Sequence, residues 1–161
     1  YSHLNEVILD NKKFKIIPEQ FSSMSDIYII LNKIKPNEIY SKVLDGTDNT
    51  KINACKRVSR SFGFDFTKGK LSLIHNLSEK IYNNQIKLIE NAIRYHINRY
   101  FKDMPNIGII GLGLGHNSVS YICKKNKLKY ENICKVLETE IDNGSSITKL
   151  FSSFVMCRIP I

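Results

Sequence analysis

The chain has 161 residues, 42% hydrophobic and 24% charged, with a formal net charge of +9. That length fits one domain able to bury a sizeable core, and that composition belongs to an ordinary globular protein rather than a disordered or fibrous one. No apolar run approaches the roughly 18–20 residues that a membrane-spanning helix needs.

The excess charge is mostly lysine spread along the chain. A basic balance suits nucleic acid, anionic small molecules or simple solubility. With no arginine cluster and no aromatic-flanked basic ribbon, nucleic acid is the minority reading. The four cysteines, Cys55, Cys123, Cys134 and Cys157, form no C-x-x-C pair. They read as small buried hydrophobes of a reducing compartment, so the expected location is the cytoplasm. His3, His75, His96 and His116 are equally scattered, and no metal site is expected.

In chain order, Glu6–Leu9 and Phe14–Ile17 read as a hairpin around the polar turn Asp10–Lys13, ended by Pro18. A helix capped by Ser22 or Ser23 runs to about Ile34, with Met24, Ile27, Tyr28 and Leu31 on one face, and Pro36 closes it. Residues 45–50 form a polar loop leading into a helix from about Thr50 to Phe62. That helix carries Ile52, Cys55, Val58 and Phe62 as its stripe, Lys51, Lys56, Arg57 and Arg60 elsewhere, and Gly63 as its stop. Ser78 opens the longest element. Ile81, Gln85, Leu88, Ala92, Tyr95 and Arg99 recur at three and four, as do Ile86, Ile89, Ile93, Ile97 and Tyr100, so burial on more than one side is expected. Lys102–Pro105 terminates it.

The most informative stretch follows. Ile107–Ile110 reads as a short buried strand, Gly111, Gly113 and Gly115 alternate after it, and a helix begins at Asn117 or Ser118. A strand that empties into glycines before a helix N-terminus gathers bare N–H groups and a positive dipole end at one place, which suits a phosphate, ribose or adenine edge. The plain alternative is a tight turn that lets the helix pack, and the full G-x-G-x-x-G spacing fails at His116. After the basic loop Lys124–Lys127 comes a second strand, Asn132–Leu137, then a turn at Asp142–Ser146 and a final helix over Ser146–Met156. Strand–helix–strand order of this length predicts parallel pairing with a ligand at the carboxyl end of the strands.

The order of pieces resembles the C-terminal half of the hydantoinase/oxoprolinase-like proteins of the actin/sugar-kinase/Hsp70 (ASKHA) superfamily, most closely the tetrahydromethanopterin-linked, methanofuran-biosynthesis branch. The matching pieces are Ile17–Tyr28, resembling that branch's helix entry; Asp45-Gly46; Arg57-Val58-Ser59-Arg60 with Asp65; Ile81-Tyr82-Asn83-Asn84-Gln85 with Ile89; and Gly111-Leu112-Gly113. Gly115-His116-Asn117 departs from the acidic-aromatic residues of the family.

The resemblance implies an α/β, RNase H-like (actin-like ATPase) half-domain with a mixed sheet. A helical insertion would occupy about 20–104 and a strand–helix–strand–helix end 105–161. It implies ATP or a diphosphate substrate with Mg2+, and transfer of a phosphate- or diphosphate-activated aminomethylfuran to glutamyl-tyramine, or a related ATP-dependent hydantoinase-like reaction. The superfamily grips phosphates with two Asp-x-Gly loops, and apart from the turn at Asp142–Ser146 no stretch of this sequence has that form. A longer protein is therefore expected, with both loops ahead of Tyr1, the missing N-terminal half as partner, and this piece inactive alone. Homo-oligomerisation is open.

The site candidates are Gly111, Gly113, Gly115 and Asn117 toward a nucleotide or phosphate, with Asn117 equally a helix cap. Asp45 and Asp48 can serve a metal–phosphate or a substrate amine, or cap the next helix. Asp26 and Asp65 read as caps or lysine partners. Tyr82 and Gln85 can face the cleft or pair with each other in the core, and His116 is the histidine placed for acid–base work. Two other classes stand beside the enzyme: a stand-alone basic α/β module for nucleic acid or a protein partner, and a small Rossmann-like nucleotide-binding regulatory domain.

Overall fold

The computed structural model describes residues 5–17, 20, 22–38, 47–100, 108–111 and 116–132. The structure is mixed α/β and mostly helical. Its contacts divide it into two units, Tyr1–Gln85 and Ile86–Ile161.

In the first unit, β1 (Glu6–Leu9) and β2 (Lys12–Lys15) pair antiparallel, with Val7 opposite Phe14. The turn is only Asp10 and Asn11, at φ 49° and 60°. Two-residue hairpin turns favour such left-handed pairs, and Asp and Asn tolerate them. The longer turn expected from sequence is corrected, because Lys12 and Lys13 already sit in the ladder.

α1 (Met24–Ile30) is capped at Ser23, whose N–H donates to the Asp26 carboxylate at 3.1 Å. It stops before Ile34. Asn32 lies at φ 53°, Lys33 N–H donates to the Tyr28 carbonyl, and Asn32 N–H donates to that of Ile29. This paired closure satisfies carbonyls that the helix end would otherwise orphan. All five residues Asp26–Ile30 are buried, so α1 has no solvent face over that run.

α2 (Lys51–Ser61) begins at Thr50, whose Oγ1 accepts from Asn53 N–H at 3.3 Å, and ends in the same closure through Gly63 at φ 74°. Both boundaries match expectation, and so do the faces at Cys55, Val58 and Phe62, which are buried; two positions differ. Ile52 is 60% exposed, whereas Arg57 is 1% exposed and lies inside with Ala54, Cys55 and Val58.

α3 (Leu71–Tyr100) starts ahead of the expected Ser78. Ser78 is buried within it, its hydroxyl donating to the Ile74 carbonyl at 2.8 Å. The apolar three-and-four spacing already holds at Ile74, Leu77 and Ile81, all fully buried, which carries the helix back to Leu71. Burying each such side chain contributes about 1.5–3 kcal/mol. After Ile81 the buried set resumes at Ile86 and continues through Glu90, Ile93 and Ile97. This is the expected stripe through Ile86, Ile93 and Ile97; of the other, Ile81 is buried and Gln85 half-buried, but Leu88 is 48% and Tyr95 55% exposed, with Ala92 and Arg99 also exposed.

In the second unit, β3 (Gly108–Gly111) and β4 (Lys129–Asn132) pair parallel, Ile109 opposite Tyr130 and Gly111 opposite Asn132. α4 (His116–Lys125) connects them and packs against both. Val119, Ile122, Cys123 and Ile109 form its core. Parallel pairing was expected, but with Asn132–Leu137; the partner strand starts earlier, at Lys129. α4 closes through Lys127 at φ 56°, with Leu128 N–H on the Cys123 carbonyl, so the chain is free to extend from the next residue. Residues 133–137, the stop at 102–105, the turn at 142–146 and the final helix over 146–156 lie outside the described residues.

Candidate functional site

β3 ends at Gly111 and α4 begins at His116, so residues 112–115 join the carboxyl end of a parallel strand to a helix start. The first N–H groups of a helix have no partner within it, and the dipole there is positive. Gly111 is the last ladder residue, opposite Asn132. His116 is the first residue of α4, and Asn117 the second, exposed and inside the helix rather than capping it. Gly113 and Gly115 lie outside the described residues. The structure thus brings Gly111, His116 and Asn117 to one strand-to-helix corner.

The far end of α4 is clamped. Glu90 of α3 accepts from Asn126 Nδ2, Lys125 Nζ and Arg94 Nη2, each at 3.1 Å, and Arg94 also donates to Asn126 Oδ1 at 2.9 Å. These donors, the Asn126 amide first, then Lys125 and Arg94, pull the Glu90 carboxyl from the ordinary 4.5 to about 2. Lys125, in the basic end of α4, pairs with a carboxylate 8% exposed as a residue. With Lys124, it still stands in the last turn, where cations complement the dipole.

The remaining candidates belong to the first unit. Asp48 is exposed, and its carbonyl accepts from Asn53 Nδ2 at 3.3 Å; Asp45 lies outside the described residues. Tyr82 and Gln85 are half-buried on α3. The Tyr82 ring meets Tyr28 edge to face at 6.1 Å and lies under Lys33 Nζ at 5.0 Å. Those contacts serve packing.

Sequence reasoning missed the most heavily bonded group of this unit. Arg57 donates through Nε (3.0 Å) and Nη2 (2.6 Å) to Asp26 Oδ1, and through Nη1 (2.6 Å) to Thr47 Oγ1. Asp26 Oδ2 accepts from Ser22 Oγ and Ser23 N, both at 3.1 Å. Asp26 therefore caps α1 as expected, but its ionic partner is arginine. A Ser-x-x-Asp box was visible in the sequence. Arg57, three residues after Ala54 and one before Val58, was the available hint that a charge sits on the inner face.

Burial, opposed by Lys51 and aided by Asp26, raises the Cys55 thiol, and burial pushes Cys123 up to about 11. Both are the core thiols expected, not nucleophiles. Among the described residues no group of three or more His, Cys, Asp or Glu could hold a metal ion, and no helix is long and apolar enough to cross a membrane.

Comparison with models of known protein families gives no match, and comparison with curated proteins gives none either.

Proposed function

We propose that the β3–α4 corner binds a phosphate-bearing ligand, as part of an RNase H-like half-domain in an ASKHA-type enzyme of the methanofuran-biosynthesis or hydantoinase-like kind. One observation carries the reading: β3 and β4 lie parallel with α4 between them. In open parallel sheets ligands collect outside the carboxyl ends of the strands, and here that end leads into Gly111 and the start of α4.

The chain's own part is to hold and orient the anion. Gly111 presents no side chain, and the leading N–H groups of α4 donate toward the phosphate oxygens. In the proposed transfer, the bond from the furan's phosphorylated methylene carbon to the phosphate oxygen breaks and a bond from that carbon to the tyramine phenol oxygen forms. The phenol proton and a phosphate or pyrophosphate leave. Fixed donors aimed at the departing phosphate lower that barrier through pre-arranged charge complementarity. A helix start after a glycine suits the anionic oxygens of ATP or a diphosphate substrate. The described residues offer no carboxylate cluster for Mg2+, and no step is assigned to the ion.

The test is Gly113→Val in the full-length enzyme, read by calorimetric titration with ATP and with pyrophosphate. Affinity should fall at least tenfold while circular dichroism and melting stay close to wild type. Unchanged affinity removes this turn from the site. Steeply salt-dependent binding of duplex or single-stranded nucleic acid, with none of either phosphate ligand, would replace the enzyme reading with the basic-module one. Tight NAD binding by the isolated chain would instead favour a regulatory Rossmann-like domain.

A further inference from the structure

The C-terminal end of α4 gathers more positive charge than its one bonded carboxylate engages. Glu90 takes Lys125 and Arg94, but Arg94 uses only Nη2 for this and for Asn126, and its side chain stays 62% exposed. Lys124, Lys127 and Lys129 are exposed, and their ammonium groups have no partner among the described residues. The lysines are neighbours in sequence; the structure adds Arg94, which reaches Asn126 from 32 residues earlier.

An uncovered aromatic ring stands beside these cations. Tyr121 is 57% exposed, three residues before Lys124 and four before Lys125, the spacing of neighbours on one helix face. Its ring meets no other ring or cation among the described residues. Elsewhere the rings near cations are occupied: Tyr95 lies under Arg99, and Phe64 under Lys70 with Phe62 stacked on it. The lysines of β2 flank Ile8 rather than a ring, and Lys13 is paired with Glu6.

Charge spread over a turn and a strand start suits a chain of anions better than a single one. A bare ring one helical turn from ammonium groups suits a flat base lying between phosphates. A duplex keeps its base faces inside the stack, and an acidic peptide brings charge without such a face, so a single strand is the occupant that uses both features. The turn is also fixed in advance. Asn126 Nδ2 donates to Glu90 and to the Ile122 carbonyl, while Leu128 N–H closes on the Cys123 carbonyl. Groups already held in place lose less freedom on binding.

We propose that the face of α4 through Tyr121 and Lys124, with Lys127, Lys129 and Arg94 beside it, binds single-stranded nucleic acid. The cations meet successive phosphates, and Tyr121 stacks on a base. This surface is separate from the corner at Gly111 and does not rest on the ligand reading.

Fluorescence anisotropy of a labelled thymidylate oligomer of about 12 nucleotides, titrated with the full chain, tests it. The logarithm of affinity should fall with that of salt at a slope of about −2 to −3, as three or four single-strand phosphate contacts require. Tyr121→Ala should weaken binding about tenfold or more through lost stacking. Lys124→Gln with Lys127→Gln should weaken it and make the slope shallower by about 1.4. Lys12→Gln with Lys15→Gln takes the same charge from the first unit and should leave affinity nearly unchanged, as should Gly113→Val. Absence of binding at about 50 mM salt, wild-type affinity in Tyr121→Ala, or an equal loss from the Lys12 and Lys15 pair overturns the proposal. Loss with Gly113→Val would move the oligomer to the corner and also overturns it. So does equal affinity for a duplex, or displacement by poly-glutamate at equal charge, the latter in favour of an acidic protein as partner.

Discussion

Cutting the Asp26–Arg57 pair should unfold the first unit, and the size of the effect follows from its bonds. Asp26→Ala removes the acceptor for two Arg57 donors and for the Ser22 hydroxyl and Ser23 N–H, leaving a guanidinium 1% exposed without its counter-charge. Removing one partner of a buried pair costs about 3–5 kcal/mol, chiefly the desolvation of the stranded charge, and losing the cap adds about 1 kcal/mol. For a unit of this size each kcal/mol moves Tm by about 4–8 °C, so the loss of about 4–6 kcal/mol corresponds to a fall of roughly 15–50 °C. Asp26→Leu with Arg57→Met removes both charges and should recover most of the loss, all but the cap, because apolar replacements of similar volume strand no buried charge. Urea unfolding followed by circular dichroism, with hydrogen exchange assigning the loss to residues before Ile86, measures all three proteins. A loss below about 1.5 kcal/mol for Asp26→Ala, or a double variant no more stable than the single, would refute the buried-charge reasoning.

The other expectations rest on single groups. Ser59 Oγ is buried and has no hydrogen-bond partner among the described residues, so Ser59→Ala should stabilise by about 1 kcal/mol in denaturant titration; destabilisation would mean the hydroxyl has a partner. Lys127 holds a left-handed position, at φ 56°, where the equivalent α2 closure uses glycine, and Lys127→Gly should raise stability by about 0.5–1 kcal/mol. Gly63→Ala should do the opposite, costing about 1–2 kcal/mol, since φ is 74° and the added Cβ would stand 3.0 Å from Ile17 Cδ1. Glu90 titrates below its unfolded value, so its contribution is complete above pH 4.5 and is lost as pH falls toward about 2. Acid titration of Glu90→Gln should lack that loss, and identical acid profiles for variant and wild type would dismiss the clamp.

Local rules were legible where one residue decides the backbone. Thr50 caps α2 and Gly63 stops it, and the strand-to-helix alternation after Pro105 gave a parallel pair. The errors came where a bond across the chain overrides local pattern. Asn32 and Lys127 take left-handed conformations that closing hydrogen bonds maintain, which shortened one helix and moved a strand start forward. Arg57 looked like a solvent-facing cation, and only a carboxylate 31 residues earlier makes its burial tolerable. Of the candidate site, the corner at Gly111 and His116 was readable because it depends on chain order. Placement of Asp48, Tyr82 and Gln85 depends on tertiary contacts, which spacing does not encode.

The two ends of α4 connect stability with the proposed binding. A phosphate site made of backbone donors gains affinity only if those donors stand still before the ligand arrives. α4 is a rigid 10-residue rod. Its last turn is fixed by the Lys124 and Cys123 carbonyl closures and by the Glu90 clamp on Lys125 and Asn126. Ser118, Val119, Ile122 and Cys123 hold its inner face, each at most 2% exposed. A helix held along one side and at its C-terminal end has a determined N-terminus as well, whatever the joining residues 112–115 contribute. In the proposed binding, the buried carboxylate of Glu90 and the corner at Gly111 then belong to one arrangement: charge at one end of α4 keeps it in register with α3, so that the N–H groups at the other end would be held ready for an anion.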